Sequence, residues 1–171
     1  MSESTLPTDL TPVGMLAWPV KGLADLVAET DEFQSRTGAA NQTDAYRFIH
    51  YPGLAETADI NTIERPAAIV NLGDKLDLSR VDAEHLRPEI DLVLTITDWC
   101  RHEQREDYCF IDFLNFVGVL LPEIAELQGV DDRLAIKAMS WKETPGRTDP
   151  KQAAIKRHYW LCQVNVQVSK L

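Results

Sequence analysis

From Arg105 to Gln128 the chain places Phe110, Phe113, Leu114, Val117, Leu120, Leu121, Ile124 and Leu127 at steps of three and one. That spacing predicts one strongly amphipathic helix, whose apolar stripe must be covered by a sheet or by other helices. Pro122 lies inside the pattern, and its ring clashes with the carbonyl of Gly118 four residues earlier, so a kink or a split is expected there.

The covering surface is written as alternation. Ile90, Leu92, Leu94 and Ile96 alternate with Asp91, Val93, Thr95 and Thr97, the period of two that predicts a strand over Glu89 to Trp99. Trp160, Cys162, Val164, Val166 and Val168 alternate with Gln163, Asn165 and Gln167, which predicts an antiparallel strand with one wet side within Ile155 to Val168. Leu134 to Lys142 reads as its hairpin partner. Upstream, Leu16, Val20, Leu23, Leu26 and Val27 predict a first helix over Met15 to Phe33, with Gly38 as its stop. Two short strands follow, Tyr46 to Tyr51 before the Pro52-Gly53 turn signal and Ala67 to Leu72 before Gly73. Gly73 to Pro88 reads as a polar surface connection, with one helical turn starting at the capping-like pair Ser79 and Asp82. The expected fold class is α+β, an antiparallel or mixed β-sheet with an N-terminal helix and a long amphipathic helix packed on one face. Residues 1–12 read as a flexible arm and 13–171 as a single domain.

Composition narrows the classes. The chain is 44% hydrophobic and 26% charged, which excludes collagen-like, low-complexity and wholly disordered chains. Seventeen Lys and Arg against 27 Asp and Glu give a net charge of −10, a field that repels phosphate backbones and anionic headgroups. Met1 to Leu10 carries no Lys or Arg and no apolar run, so no secretory signal is read there. The longest apolar stretch, Phe116 to Leu121, falls far short of the roughly 20 residues that span a bilayer, so a cytosolic chain without membrane contact is expected.

No catalytic constellation is legible, and no catalytic, cofactor-binding or metal residue is assigned. His102-Glu103-Gln104-Arg105-Glu106 begins like a zinc-protease helix, but Glu106 stands where the second imidazole is required. Cys100, Cys109 and Cys162 form an odd set without paired spacing and read as buried free thiols; Cys100, His102 and Cys109 make a poor metal site for want of a Cys-x-x-Cys pair. A Cys109 nucleophile would need a histidine, and His50, His85 and His158 cannot be placed beside it from sequence. Phosphate-loop, dinucleotide and nucleophile-elbow patterns do not occur. Of the four tryptophans, Trp18, Trp99 and Trp141 invite interface readings, whereas Trp160 reads as core.

One segment departs from the acidic background. Lys142 to His158 holds five basic residues, Lys142, Arg147, Lys151, Lys156 and Arg157, against Glu143 and Asp149, with Pro145-Gly146 and Asp149-Pro150 as turn signals. It reads either as a solvated β-loop or as a projecting arm that contacts a neighbouring subunit, an acidic partner or passing DNA.

The order of elements, from the opening helix through the Glu89 to Trp99 strand and the Tyr108 to Gln128 helix to the hairpin ending in His158-Tyr-Trp-Leu-Cys-Gln-Val-Asn-Val-Gln-Val168, resembles the tail-terminator and head-tail joining proteins of long-tailed bacteriophages. The resemblance implies a structural, non-enzymatic virion subunit, made in the host cytoplasm. Copies would form a ring, typically of six, between the tail-tube protein and the head-side connector, with the five basic residues reaching a neighbour or the tube. It implies no cofactor, and DNA that slides through without specific binding, which negative walls favour physically. The twelve-residue arm and the Gly73 to Pro88 connection depart from the pattern. Another neck or baseplate subunit, or a small cytosolic α+β ligand-binding or enzymatic domain, remains the alternative.

Overall fold

The computed structural model describes residues 16–51, 63–80, 86–102, 105–128, 134–148 and 157–169. The proposed arm 1–12, the Pro52-Gly53 turn, Asp82, His85, Glu103, Gln104, Asp149-Pro150, Lys151 and Lys156 lie outside them.

Helix α1 covers Ala17–Glu29 and α2 covers Asp31–Thr37. The single helix expected over Met15 to Phe33 is therefore two. Thr30 is the joint: its backbone is extended and its hydroxyl donates to Val27 O at 2.7 Å, so its side chain competes for a helix carbonyl. Gly38 closes α2 in the left-handed conformation, φ 75°. Tyr46 to Tyr51 is also corrected. Asn41 caps a short helix, α3 (Gln42–Ala45), by accepting from Asp44 N, and the chain runs on as a 3-10 turn over Tyr46–Phe48. Only β1, Ile49–His50, is strand.

The remaining strands are β2 (Ala67–Arg80), β3 (Leu86–Trp99), β4 (Ala135–Arg147) and β5 (Tyr159–Ser169). They form a five-stranded mixed sheet in the order β1-β2-β3-β5-β4, in which only the short β1–β2 pair is parallel. The α+β class holds. The expected connection from Gly73 to Pro88 is instead the outer half of a long hairpin, with Asp77 opposite Glu89 and Ser79 opposite Arg87. Gly73 makes the irregularity between Leu72 and Leu76 possible: a Cβ there would meet the Asp91 carbonyl oxygen at 2.8 Å.

Helix α4, Glu106–Leu127, is continuous through Pro122. The expected split is absent because Pro122 and Gly118 both face outward, where water can take the hydrogen bond that the Gly118 carbonyl loses. The core lies between α4, α1, α2 and one sheet face: Phe113, Phe116, Leu120 and Ile124 meet Leu23, Val27 and Phe33 over Val70, Leu92, Leu94, Val164 and Val166. On the other face Gln163, Asn165 and Gln167 are half-buried while Val93, Thr95 and Thr97 of β3 beside them are buried, so the side that the alternation marks as wet is partly enclosed.

Candidate functional site

One end of the sheet, where β3 and β4 finish and β2 and β5 begin, gathers arginines with aromatic and acidic groups. Arg65 is buried there. Its guanidinium lies 3.7 Å from the Tyr159 ring centre and 5.0 Å from that of Trp99, and its Nε donates to Thr97 Oγ1 at 2.9 Å. Burial pulls its pKa down to about 10, still far above neutral, so it remains a cation. Arg157 sits 4.7 Å from the centre of the same Trp99 ring.

Beside this stack a second network ties α2, β3 and α4 together. The Asp98 carboxylate, fully enclosed, accepts from Arg36 Nε at 2.7 Å and from Arg101 Nε at 3.0 Å. Arg36 also grips Asp112 with both terminal nitrogens and packs over Phe116. Its hydrogen bonds hold the Asp112 carboxyl below the usual carboxylate range.

All three cysteines are buried free thiols. Trp160 is core, as the alternation predicts, and its indole N–H donates to Cys109 Sγ at 2.9 Å. Burial foremost, and then Cys109, pushes the Cys100 thiol up to about 12. His158 comes close through its backbone, whose carbonyl accepts from Cys100 N, but its ring engages the Thr148 carbonyl at 2.7 Å. His102 is exposed and tilted against Tyr108.

Of the five basic residues singled out in sequence, Lys142 and Arg147 lie in β4 rather than in a loop, and Lys151 and Lys156 lie outside the described residues. β4 runs through Pro145-Gly146 to Arg147, so that pair is no turn; the strand absorbs it through register shifts at Ile136/Ala138, Trp141/Glu143 and Glu143/Gly146. Arg147, opposite Trp160, and Arg157 belong to the arginine-rich end, while Lys142 points elsewhere. Lys142 Nζ lies 3.6 Å from Asp74 of β2, although β5 and β3 separate the two strands. Strands about 4.8 Å apart would set β2 and β4 about 14 Å apart in a flat sheet, so the sheet curls strongly there.

Sequence reading missed a second surface. Along α4 the outward residues Tyr108, Ile111 and Val119 are 51%, 52% and 45% exposed, with Asn115 and Gly118 between them and Pro122 just beyond. No charged residue occurs from Phe113 to Pro122. Asp107–Leu127 is long and apolar enough, by length and composition only, to cross a bilayer, a longer stretch than Phe116 to Leu121. Its inner stripe is nonetheless committed to the core through Phe113, Phe116, Val117, Leu120 and Ile124. Further apolar groups stand out at the sheet margins: Leu72 and Leu76 on β2, and Trp141 on β4. The signal in the sequence is the uncharged run from Phe113 to Pro122, which leaves the side of the helix opposite the core stripe without charge there.

No protein-family model matches the chain, and no curated protein matches it.

Proposed function

We propose that the chain is a structural, non-catalytic subunit that assembles with copies of itself into a ring, as a tail-terminator or head-tail joining protein of a long-tailed bacteriophage does. The observation that carries this reading is the outward face of α4. A helix apolar on both sides is ordinarily enclosed by protein, and here one side packs on the sheet while Tyr108, Ile111 and Val119 remain open. Exposed apolar surface of that kind marks an interaction site. The strand Leu86–Trp99, the helix Glu106–Leu127 and the strands Ala135–Arg147 and Tyr159–Ser169 follow in the order that the phage resemblance uses, whereas its opening helix is split and its Tyr46 to Tyr51 strand is mostly helical turn.

In that role the ring sits in the virion between the tail-tube protein and the head-side connector, with DNA passing through it unbound. The net charge of −10 suits a conduit that DNA must not stick to. The arginine-rich end, with Arg147 and Arg157, supplies a local basic surface for an acidic neighbour. Sedimentation velocity from low to high micromolar protein tests the reading: concentration-dependent conversion to one closed species of about six chains supports it. An open-ended ladder of sizes argues against it.

A further inference from the structure

We propose that the edge piece Ile49 to Tyr51, β1 and the residue after it, is an acid-responsive latch: it opens from β2 while the rest of the sheet stays folded, and a proton taken up by His50 favours the open form. Two observations carry this. Among the described residues, the enclosed side-chain polar atoms without a hydrogen-bond partner are His50 Nε2 and the Tyr51 hydroxyl, on adjacent residues of this one piece. The second is that β1 is held to β2 by two paired residues, Ile49 opposite Ala68 and His50 opposite Ile69. An enclosed polar group without a partner disfavours the state that encloses it, since water satisfies it outside. Ile49 and Phe48, both in the core, hold the piece closed against that cost. The acid that faces the Tyr51 hydroxyl is Asp25 of α1, but its carboxylate is engaged by Lys21 and by the Tyr46 hydroxyl.

His50 gives the opening its dependence on pH. A proton on this imidazole adds a charge where no acceptor stands at Nε2. The charged groups that act on it are Arg65, which opposes the proton, and the exposed Glu64, which favours it. β2 carries no charged side chain from Ala67 to Leu72, and Arg47 of the 3-10 turn lies over the Phe48 ring. Burial foremost, and then Arg65, hold the folded imidazole below its ordinary pKa. The open form therefore binds the proton more readily, and its fraction rises as pH falls. With an imidazole pKa of about 6.5 in water, this linkage allows at most about a 30-fold rise at pH 5.0. Once released, the piece leaves the start of β2, beside Arg65, as an uncovered sheet edge, which is a template for strand pairing.

Native-state hydrogen exchange of the full chain, read by mass spectrometry and normalised to the intrinsic rate at each pD, is the test. At pD 7.5 the peptide covering residues 46–51 is expected to be at least about tenfold less protected than Leu92 to Ile96, and to ignore low urea, which speeds only openings that expose much surface. Between pD 7.5 and 5.0 its protection is expected to fall by about 5- to 30-fold in the wild type and by less than about twofold in H50Q. Y51F, which removes the unpartnered hydroxyl, is expected to raise its protection by about threefold or more at both pD values. A 46–51 peptide that exchanges only together with the β3–β5 ladder, at equal protection and equal urea response, overturns the latch. An acid response that survives in H50Q overturns it too. Should H50Q not fold, the wild type and Y51F decide: a wild-type response below about twofold, or Y51F protection at or below the wild-type level, overturns the proposal.

Discussion

The guanidinium of Arg65 lies 3.7 Å from the centre of the Tyr159 ring, while its Nε donates to Thr97 Oγ1, whose own hydroxyl donates to the Trp160 carbonyl at 2.8 Å. One buried cation thus fastens the start of β2 to the end of β3 and the start of β5. Desolvation is offset by two aromatic faces and by hydrogen bonds, with the Asp98 charge also favouring the cation.

Replacing Arg65 by alanine is expected to lower the unfolding free energy by about 2 to 4 kcal/mol, since it removes both the stacked stem and the hydrogen-bond donor. Lysine at that position should recover only part of this, because an ammonium lacks the planar fork. Urea unfolding measures it; a change below about 0.5 kcal/mol, as at an ordinary surface site, would show that the stack contributes nothing.

Acid should weaken the fold in two steps. Burial foremost, and then Arg65, depress the His50 pKa, and the hydrogen bonds from Arg36 depress that of Asp112. In both cases the folded chain binds fewer protons than the unfolded chain, so the stability is present above the unfolded pKa and is lost as pH falls through the folded one. The first loss begins below about pH 6.5 and the second below about pH 4, the unfolded values of histidine and aspartate. Melting temperature measured against pH should show the upper step vanish in H50Q and the lower step shrink in R36M.

Two glycines should answer alanine in opposite ways. At Gly73 a Cβ would lie 2.8 Å from the Asp91 carbonyl oxygen, so G73A is expected to destabilise the hairpin by about 1 to 3 kcal/mol. At Gly118 a Cβ meets nothing, so G118A should stabilise the isolated chain by about 0.5 to 1 kcal/mol through helix propensity alone. Thermal unfolding at low protein concentration separates the two; equal signs would contradict the placement.

The thiols should be silent until the chain unfolds. Burial pushes Cys162 up to about 12, and Cys109 is enclosed beneath Trp160. Thiolate is the reactive form. A disulfide reagent at neutral pH is therefore expected to titrate three thiols in denaturant and almost none in the native protein, and prompt native labelling would show that the Cys100 to Cys109 region is open.

What could be read in the sequence was what has a period. β5 alternates because one face is enclosed more than the other, β3 is buried on both faces from Leu92 to Asp98 yet keeps its larger apolar side chains on the helix-bearing one, and the inner stripe of α4 repeats because it packs on that face. The outer hairpin was not legible, since Asp74, Lys75 and Asp77 give no burial contrast and the backbone ladder, which any residue can supply, holds them. β4 past Lys142 was hidden by bulges that put Pro145-Gly146, a turn pair in isolation, into a strand. The arginine-rich end was invisible because it is assembled at long range: Arg36 reaches Asp98 62 positions away and Asp112 76 positions away. Arg147 and Arg157 were picked out by charge alone, without Arg65, Arg36 or Arg101, which complete their setting.

Native mass spectrometry of the wild-type chain over a concentration series, paired with negative-stain images of its largest species, tests self-assembly most directly. The account predicts a closed ring of about six chains with a central hole. A chain that stays monomeric up to the highest concentration, with Tyr108, Ile111 and Val119 in water, would contradict it.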